Sequence, residues 1–271
     1  MTKKEQYALV TGGTSGIGYE LAKLLAKDGY NLLIVARNQE ELNKTTRDLQ
    51  AAYNIEVVTL SRDLFDKKAP FEIYDQVIAK GLQIDILVNN AGQGQYGEFI
   101  DTDLEKEMDI IQLNITSLVA LTKLFLRDMI ARKSGKILNV ASVASKIPGP
   151  LQSVYHGTKA FVHSFTEAIR NEVKDSGVTI TSLLPGATAT DFFNKADMLN
   201  AKNVQDGKLA DPAEVAKDGY NALMNDDDMV ISGLANKIQV AMSNILPDAM
   251  VAEKVHNQQA PKNETEQQSN N

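Results

Sequence analysis

Tyr155 and Lys159 stand four residues apart in the stretch SVYHGTKAF (153–161), whose pattern reads as helix. Residues at that spacing share one helix face, so the phenol and the ammonium would be neighbours. A free phenol titrates near about 10, too high for a base at neutral pH. A cation close by favours the phenolate and lowers that value. A tyrosine tuned in this way can exchange a proton with an alcohol or a carbonyl oxygen. Taken alone, the pair also fits an exposed tyrosine beside an exposed lysine, because most lysines face water. The surrounding elements have to decide.

The chain has 271 residues, 43% of them hydrophobic, enough for one large core. Its net charge is −7, which argues against general binding of nucleic acid or anionic membranes. There is no cysteine, so disulfides, thiolate metal sites and cysteine nucleophiles are excluded together. The N-terminal MTKKEQYALVTGG has no apolar region of signal-peptide length, and no apolar stretch approaches a membrane span. These features predict a cytoplasmic enzyme with no membrane or nucleic-acid partner.

Short runs rich in Val, Ile and Leu recur: YALVTG (7–12), NLLIVA (31–36), IEVVTL (55–60), IDILVNN (84–90), KILNVAS (136–142), VTITSLLPG (178–186) and MVISG (229–233). Amphipathic helical patterns separate them. Continuous apolar strands alternating with helices predict an α/β, doubly wound fold of about seven parallel strands in a single domain. Ligands then bind at the carboxyl ends of the strands. Long helices are expected over about 103–131 and from Tyr155 to about Lys174. A further helix is expected over 235–250, with Pro247 ending it. The domain is taken as 1–255. The polar stretch 256–271 lacks aliphatic and aromatic residues other than Ala260 and is expected to be a disordered tail.

TGGTSGIG (11–18) lies between the first strand and the first helix. Gly12, Gly16 and Gly18 permit a tight turn and a close approach of backbone to a pyrophosphate. The helix start, around Thr14, Ser15 and Ile17, offers free N–H groups to that anion. At the end of strand two stands Arg37, in LLIVARNQEEL, where an acid would have suited the ribose of NAD. A guanidinium there suits a 2′-phosphate, so NADP is favoured over NAD.

With these residues assembled, the chain resembles the short-chain dehydrogenase/reductase family from about residue 6 to 235. The family's glycine motif is matched by Thr11, Gly12, Gly16 and Gly18. Asp63, in SRDL, matches the acid set against the adenine, and Asn89, Asn90, Ala91 and Gly92 match its N-N-A-G motif. Its catalytic asparagine falls on Asn114, its serine on Ser142, and its Y-x-x-x-K motif on Tyr155 and Lys159. Its P-G motif falls on Pro185 and Gly186, followed by Thr188 and Thr190. The resemblance implies the Rossmann fold and an NADP(H)-dependent oxidoreductase acting on a carbonyl or secondary alcohol. Tyr155 is implied as acid and base, and Lys159 as its tuner and holder of the nicotinamide ribose. Ser142 would orient the carbonyl, and Asn114, through its side chain or its local backbone, would anchor a relaying water. It also implies a homodimer or homotetramer through the two long helices, whose apolar residues include Leu118, Leu121, Leu124, Phe125, Phe161, Phe165 and Ile169.

The stretch KIPGPLQSVYHG departs from acyl-carrier-protein reductases of the family, which makes fatty-acid synthesis the less favoured setting. Enoyl reductases space their tyrosine and lysine more widely. The walls Gln93–Tyr96, Ile147–Gln152 and Phe192–Leu199 are mostly apolar or amide, which suits a moderately apolar ketone or aldehyde. Phe192 and Phe193 are either lid residues touching substrate or locally packed helix. His156 and His163 read as structural, and Asp226, Asp227 and Asp228 as a solvated turn with no metal. A dinucleotide-binding scaffold without turnover is the alternative function. Degenerate members tend to lose the serine, tyrosine or lysine, and this chain has all three.

Overall fold

A computed structural model describes residues 6–243 and 245–262. One sheet of seven parallel strands runs through it: β1 (Tyr7–Thr11), β2 (Asn31–Ala36), β3 (Val57–Ser61), β4 (Ile84–Asn89), β5 (Gly135–Val140), β6 (Val178–Leu184) and β7 (Met229–Ile231). Their spatial order is β3-β2-β1-β4-β5-β6-β7. The chain therefore winds outward one way from β1 and then the other way from β4. The crevice between β1 and β4 is where a doubly wound sheet accepts ligands.

Both faces of the sheet are covered, and the strands show why they are apolar throughout. In β1, Tyr7 and Leu9 join one core layer while Ala8 and Val10 join the other. In β2, Leu33 and Val35 face the first layer, and Leu32 and Ile34 the second. Helices α1 (Gly16–Lys27), α2 (Gln39–Ala52) and α9 (Pro212–Met224) cover the second layer. Helices α3 (Ala69–Ala79), α5 (Leu118–Ala131) and α6 (Ser153–Val173) cover the first. Asn38 caps α2 by accepting from the Glu40 and Glu41 amides, so β2 passes into α2 within two residues of Arg37.

The helix expected over 103–131 is interrupted. It comprises α4 (Leu104–Ile111), a π-turn over Gln112–Ser117 and α5. By length and composition, Leu104–Ala131 could span a membrane, contrary to the sequence expectation. In the fold it is a core helix, with Leu118, Leu121, Phe125 and Met129 buried against the sheet.

The C-terminus differs more. The helix expected over 235–250 ends earlier, as α10 (Leu234–Ser243), and a second helix follows Pro247, α11 (Asp248–Gln259). The polar tail expected from residue 256 is therefore helical to Gln259 and tied down beyond it. The Tyr96 hydroxyl donates to the Gln259 carbonyl at 2.6 Å, and Ala201 bridges Pro261. The Lys262 ammonium pairs with Asp206 at 2.7 Å. Polarity misled here because these residues pack through backbone groups, which composition does not reveal. The remainder of the expected tail, 263–271, lies outside the described residues. Truncation after Val255, which sequence composition makes harmless, is now expected to lower stability by about 1–3 kcal/mol through the lost hydrogen bonds and exposed carbonyls. Thermal unfolding of the truncated and full chains checks it; equal midpoints would contradict the packing described here.

Candidate active site

The glycine turn is built by contacts that leave no room for side chains. Gly12 and Gly16 have φ of 63° and 54°, a left-handed backbone that favours glycine. A Cβ on Gly18 would run into the Gly12 carbonyl and the Asn90 amide. Gly18 thus serves packing beneath the turn and does not face the cleft, unlike Gly12, Thr14, Ser15, Gly16 and Ile17. The Thr11 hydroxyl accepts from the Asn90 and Ala91 amides, both at 3.0 Å, and Asn90 Nδ2 donates back to the Thr11 carbonyl at 3.0 Å. These bonds clamp the end of β1 to the end of β4. They set Asn90, Ala91 and Gly92 opposite the glycine turn across one cleft of about 990 Å³.

Ser15 stands at the N-terminus of α1 without making a side-chain cap. The first amides of α1 therefore keep their hydrogen-bonding capacity for an anion. Arg37 projects at the outer end, half exposed, with its guanidinium 5.2 Å from the Phe65 ring and 4.0 Å from Asp63. Both Arg37 and Asp63 line the cleft. The Thr14 hydroxyl is bonded to Glu41 at 3.0 Å. A cradle of bare backbone, an uncapped helix start and a cation at the far end fit a phosphorylated dinucleotide.

The other half of the cleft gathers the groups that could do chemistry. Ser142 lies two residues beyond β5 and caps a 3₁₀ turn (Val143–Lys146), accepting from the Ala144 amide at 3.1 Å. Its hydroxyl donates to the Pro185 carbonyl at 3.3 Å and lies near enough to the Tyr155 hydroxyl to act on its protonation. Tyr155 lies in the first turn of α6, with Lys159 one turn on. Lys159 Nζ donates to the Val140 carbonyl at 2.8 Å and sits 5.9 Å from the centre of the Tyr155 ring. Pro185 and Gly186 follow β6, and Asn236 of α10 packs on Gly186. Thr190 packs against Gly16, while Thr188 is buried and bonds the Gly186 carbonyl.

The electrostatics correct one sequence-based reading. Burial pushes the Tyr155 phenol up, to about 12, and only the Ser142 hydroxyl opposes that. The lysine does not lower it in this arrangement. Burial also brings Lys159 down, to about 8. The phenol therefore holds its proton throughout the neutral range, which is the form of a proton donor. The helical spacing brings the two residues together, but desolvation is what sets the phenol in this arrangement.

Asn114 falls in the π-turn, a helix irregularity often found at functional sites. Its Oδ1 accepts from the Gln93 amide at 3.0 Å; its Nδ2 donates to the Gln93 carbonyl at 2.9 Å and to Thr158 at 3.0 Å. Asn114 is buried behind Gly92 and Gln93, outside the cleft lining, and its side chain is committed to holding that loop to α6. Asn89 is likewise internal, bonded to Thr122 and Asn139. The structural readings of the histidines have partners: His156 Nδ1 meets the Ile147 carbonyl at 2.9 Å, and His163 meets Ser182 at 3.2 Å. Asp226 pairs with Lys136 and Asp228 with Arg170.

The segment expected as a lid follows β6, through α7 (Phe192–Lys195) and α8 (Lys202–Gln205). The Phe192 ring lies 5.0 Å from that of Tyr155, so Phe192 touches the site, while Phe193 is mostly buried in the segment's own small core and also borders the cleft. Sequence reasoning missed the other wall: Asn257, Gln258 and Gln259 of α11 line the same cleft. They carry no apolar signal by which they could have been found.

The profile of the short chain dehydrogenase family matches residues 6–199. The chain belongs to this family. It is 38% identical over 194 residues to very-long-chain 3-oxoacyl-CoA reductase-A of Danio rerio, and 34% identical over 194 residues to very-long-chain 3-oxoacyl-CoA reductase of Mus musculus. The matched stretches cover 69% and 68% of this chain and 60% of each relative, so the chain spans well under two thirds of those proteins. Among solved structures, a short-chain dehydrogenase from Sphingobium yanoikuyae in complex with NADPH superposes with a TM-score of 0.79. It is 26% identical and is matched over 89% of this chain and 94% of its own. L-sorbose reductase from Gluconobacter frateurii, complexed with NADPH and L-sorbose, gives a TM-score of 0.75 at 25% identity, covering 84% of this chain and 95% of that one.

Proposed function

We propose that this short-chain dehydrogenase is an NADP(H)-dependent oxidoreductase that reduces the carbonyl of a moderately apolar substrate. The observation that carries this reading is the meeting of the Ser142 and Tyr155 hydroxyls beside Lys159, in the cleft that the glycine turn also lines. NADPH, when bound, supplies the hydride. The two hydroxyls are placed to hydrogen-bond one carbonyl oxygen, and Tyr155 gives it a proton. Lys159 presents its ammonium to the cleft and stands ready for a ribose hydroxyl and for the charge left on the phenol. Asn114 acts as a positioning residue that fixes Gln93 and Gly92. Gly12 through Ile17, with Asn90, Ala91 and Gly92, hold the pyrophosphate and ribose; Pro185, Gly186, Thr188 and Thr190 close the nicotinamide side. The buried neutral phenol is in the protonation state that a reduction starts from.

Two relatives are named for 3-oxoacyl-CoA. A 3-oxoacyl thioester is accordingly the specific substrate class to place first, despite the departure from acyl-carrier-protein reductases. The lining Phe192, Phe193, Met198 and Val255 provides apolar wall for such a chain. Turnover of a ketone panel with NADPH tests the function. Tight NADPH binding with no turnover in any class would favour a scaffold instead.

Arg37 is proposed to select NADP by pairing with the 2′-phosphate. Arg37→Asp turns that attraction into repulsion and sets a second carboxylate beside Asp63. NADPH affinity is expected to fall at least about tenfold more than NADH affinity, a differential of about 1.4 kcal/mol or more. Titration of both cofactors checks it; equal losses would remove Arg37 from this role.

A homodimer or homotetramer is proposed, working in the cytoplasm, where a chain of net charge −7 stays soluble. Leu118, Leu121 and Phe125 are spent on the core, and Leu124, Phe165 and Ile169 are partly buried. Phe161 remains exposed on α6 and stacks on Phe165, while Leu104 and Met108 are exposed on the adjoining α4. That apolar face suits a second copy across a two-fold axis. Light scattering at micromolar concentration is expected to give at least the dimer mass; a strict monomer would contradict it.

A further inference from the structure

At its substrate end the cleft holds buried amides that the fold does not use. Gln152 and Gln259 are 5% and 6% exposed, and both line the cleft. Among the described residues, Gln152 Nε2 and Gln259 Oε1 have no hydrogen-bond partner. Asn203 Oδ1, on the half-buried lid helix α8, is a third such atom in the same lining. Buried amide groups are rarely left unpaired in native interiors, since each loses its hydration for nothing. Three of them, contributed by the N-cap of α6, by α8 and by α11 to one cleft, point to a partner brought by a ligand.

The backbone around two of these amides is firmly set. Leu151 has φ of 67°, strained for a residue with a side chain, and it delivers Gln152 to the start of α6. Gln152 lies three residues before Tyr155, at the N-cap of the helix that carries the phenol, and lines the same cleft. The Gly97 amide donates to the Leu151 carbonyl at 2.9 Å, while the neighbouring Tyr96 hydroxyl holds the Gln259 carbonyl at 2.6 Å. One short loop thus ties both glutamines to the site. Charges at the rim are matched: Lys195 pairs with Asp191, and Asp206 with Lys262.

We propose that Gln152 and Gln259 form a subsite for a second, uncharged group of the substrate that both accepts and donates, an amide or hydroxyl a few atoms from the carbonyl being reduced, which accepts from Gln152 Nε2 and donates to Gln259 Oε1. The inference rests on the reductase reading and narrows its substrate class from ketones to ketones with a neutral polar group nearby. A plain ketone leaves both amides unpaired in the closed cleft and is bound less well for that reason.

The test compares kcat/KM with NADPH for N-methylacetoacetamide and methyl butyl ketone, which have the same chain length and differ by the amide group. Wild type is expected to favour the keto amide by about ten- to hundredfold, the scale of one unpaired buried polar group. The amide also activates the ketone chemically, so the change of this ratio in variants carries the argument. Gln152→Met and Gln259→Met keep side-chain length and remove the amide of the protein. Each is expected to cut the ratio about tenfold or more, with turnover of methyl butyl ketone unchanged or raised and the thermal midpoint unchanged or raised. Where a methionine variant does not fold, Gln152→Asn or Gln259→Asn withdraws the amide and is expected to cut the ratio similarly. Folded variants that keep the wild-type ratio overturn the subsite and leave the reductase reading intact. A lowered midpoint with the ratio preserved also overturns it, because the amides would then serve the fold. If wild type turns over neither ketone, the subsite falls with the reductase reading, which the wider ketone panel judges separately.

Discussion

Tyr155→Phe is expected to lower kcat for ketone reduction by about a hundred- to ten-thousandfold, the usual contribution of a positioned general acid. The ring stays, and with it the 5.0 Å contact to Phe192 and the packing of α6 against the turn that carries Ser142. What leaves is the hydroxyl beside Ser142, with its proton. NADPH affinity should therefore change less than threefold or so, well below the size of a lost charged contact. Single-turnover and binding measurements on the variant separate the two. The pH dependence adds a second signature. The phenol is held up to about 12, so it stays protonated as pH rises through the neutral range. Reduction by wild type should show no loss attributable to this group until well above pH 10 or so, whereas oxidation of the alcohol, which needs the phenolate, should climb with pH. Substantial reduction by the phenylalanine variant would mean that another group supplies the proton.

Lys159→Met is expected to act in opposite directions on activity and on stability. The ammonium is buried and donates to the Val140 carbonyl at 2.8 Å. Burial lowers its pKa from 10.5 to about 8, which corresponds to about 3 kcal/mol of cost in holding the charge. The sign follows from the folded value lying below the unfolded one. The cost is fully present below about pH 8 and fades as pH rises from there toward 10.5. Methionine fills similar volume without the charge. The variant should unfold at a higher temperature near pH 7, by roughly 1–3 kcal/mol after the lost hydrogen bond is counted, and the gain should shrink toward pH 10. Its activity should fall along with its NADPH affinity, since the ammonium faces both the phenol and the cofactor side of the cleft. A residue kept only for the fold would not destabilise it. Melting curves at two pH values with parallel activity assays decide the matter; a destabilised variant with preserved activity would reverse the assignment.

The sheet was readable because each strand is apolar on both faces, as Ala8, Leu9 and Val10 illustrate by packing into opposite layers. Strand positions and the constellation around Tyr155 followed from that and from motif order. Three things were not readable, each for a physical reason. The π-turn at Asn114 is a hydrogen-bond pattern, and the sequence QLNITS differs little from ordinary helix. The protonation of Tyr155 depends on how completely the lid and α6 exclude water, a tertiary property. The α11 wall was hidden because Gln259 is polar and its closure runs through the backbone to Tyr96. Gly18 shows the reverse case: a motif residue placed correctly, whose work is packing against Gly12 and Asn90 beneath the cleft.

The central claim is that hydride passes between NADPH and a substrate carbonyl in the cleft shared by the glycine turn and the Ser142–Tyr155–Lys159 group. The most direct measurement uses NADPH deuterated at the reactive nicotinamide carbon, a keto ester substrate, and mass spectrometry of the alcohol formed. The account predicts one deuterium on the carbinol carbon for wild type and no labelled alcohol for Tyr155→Phe on the same timescale. NADPH that binds tightly but transfers no deuterium to any ketone offered, or label transfer that is undiminished without the Tyr155 hydroxyl, would contradict it.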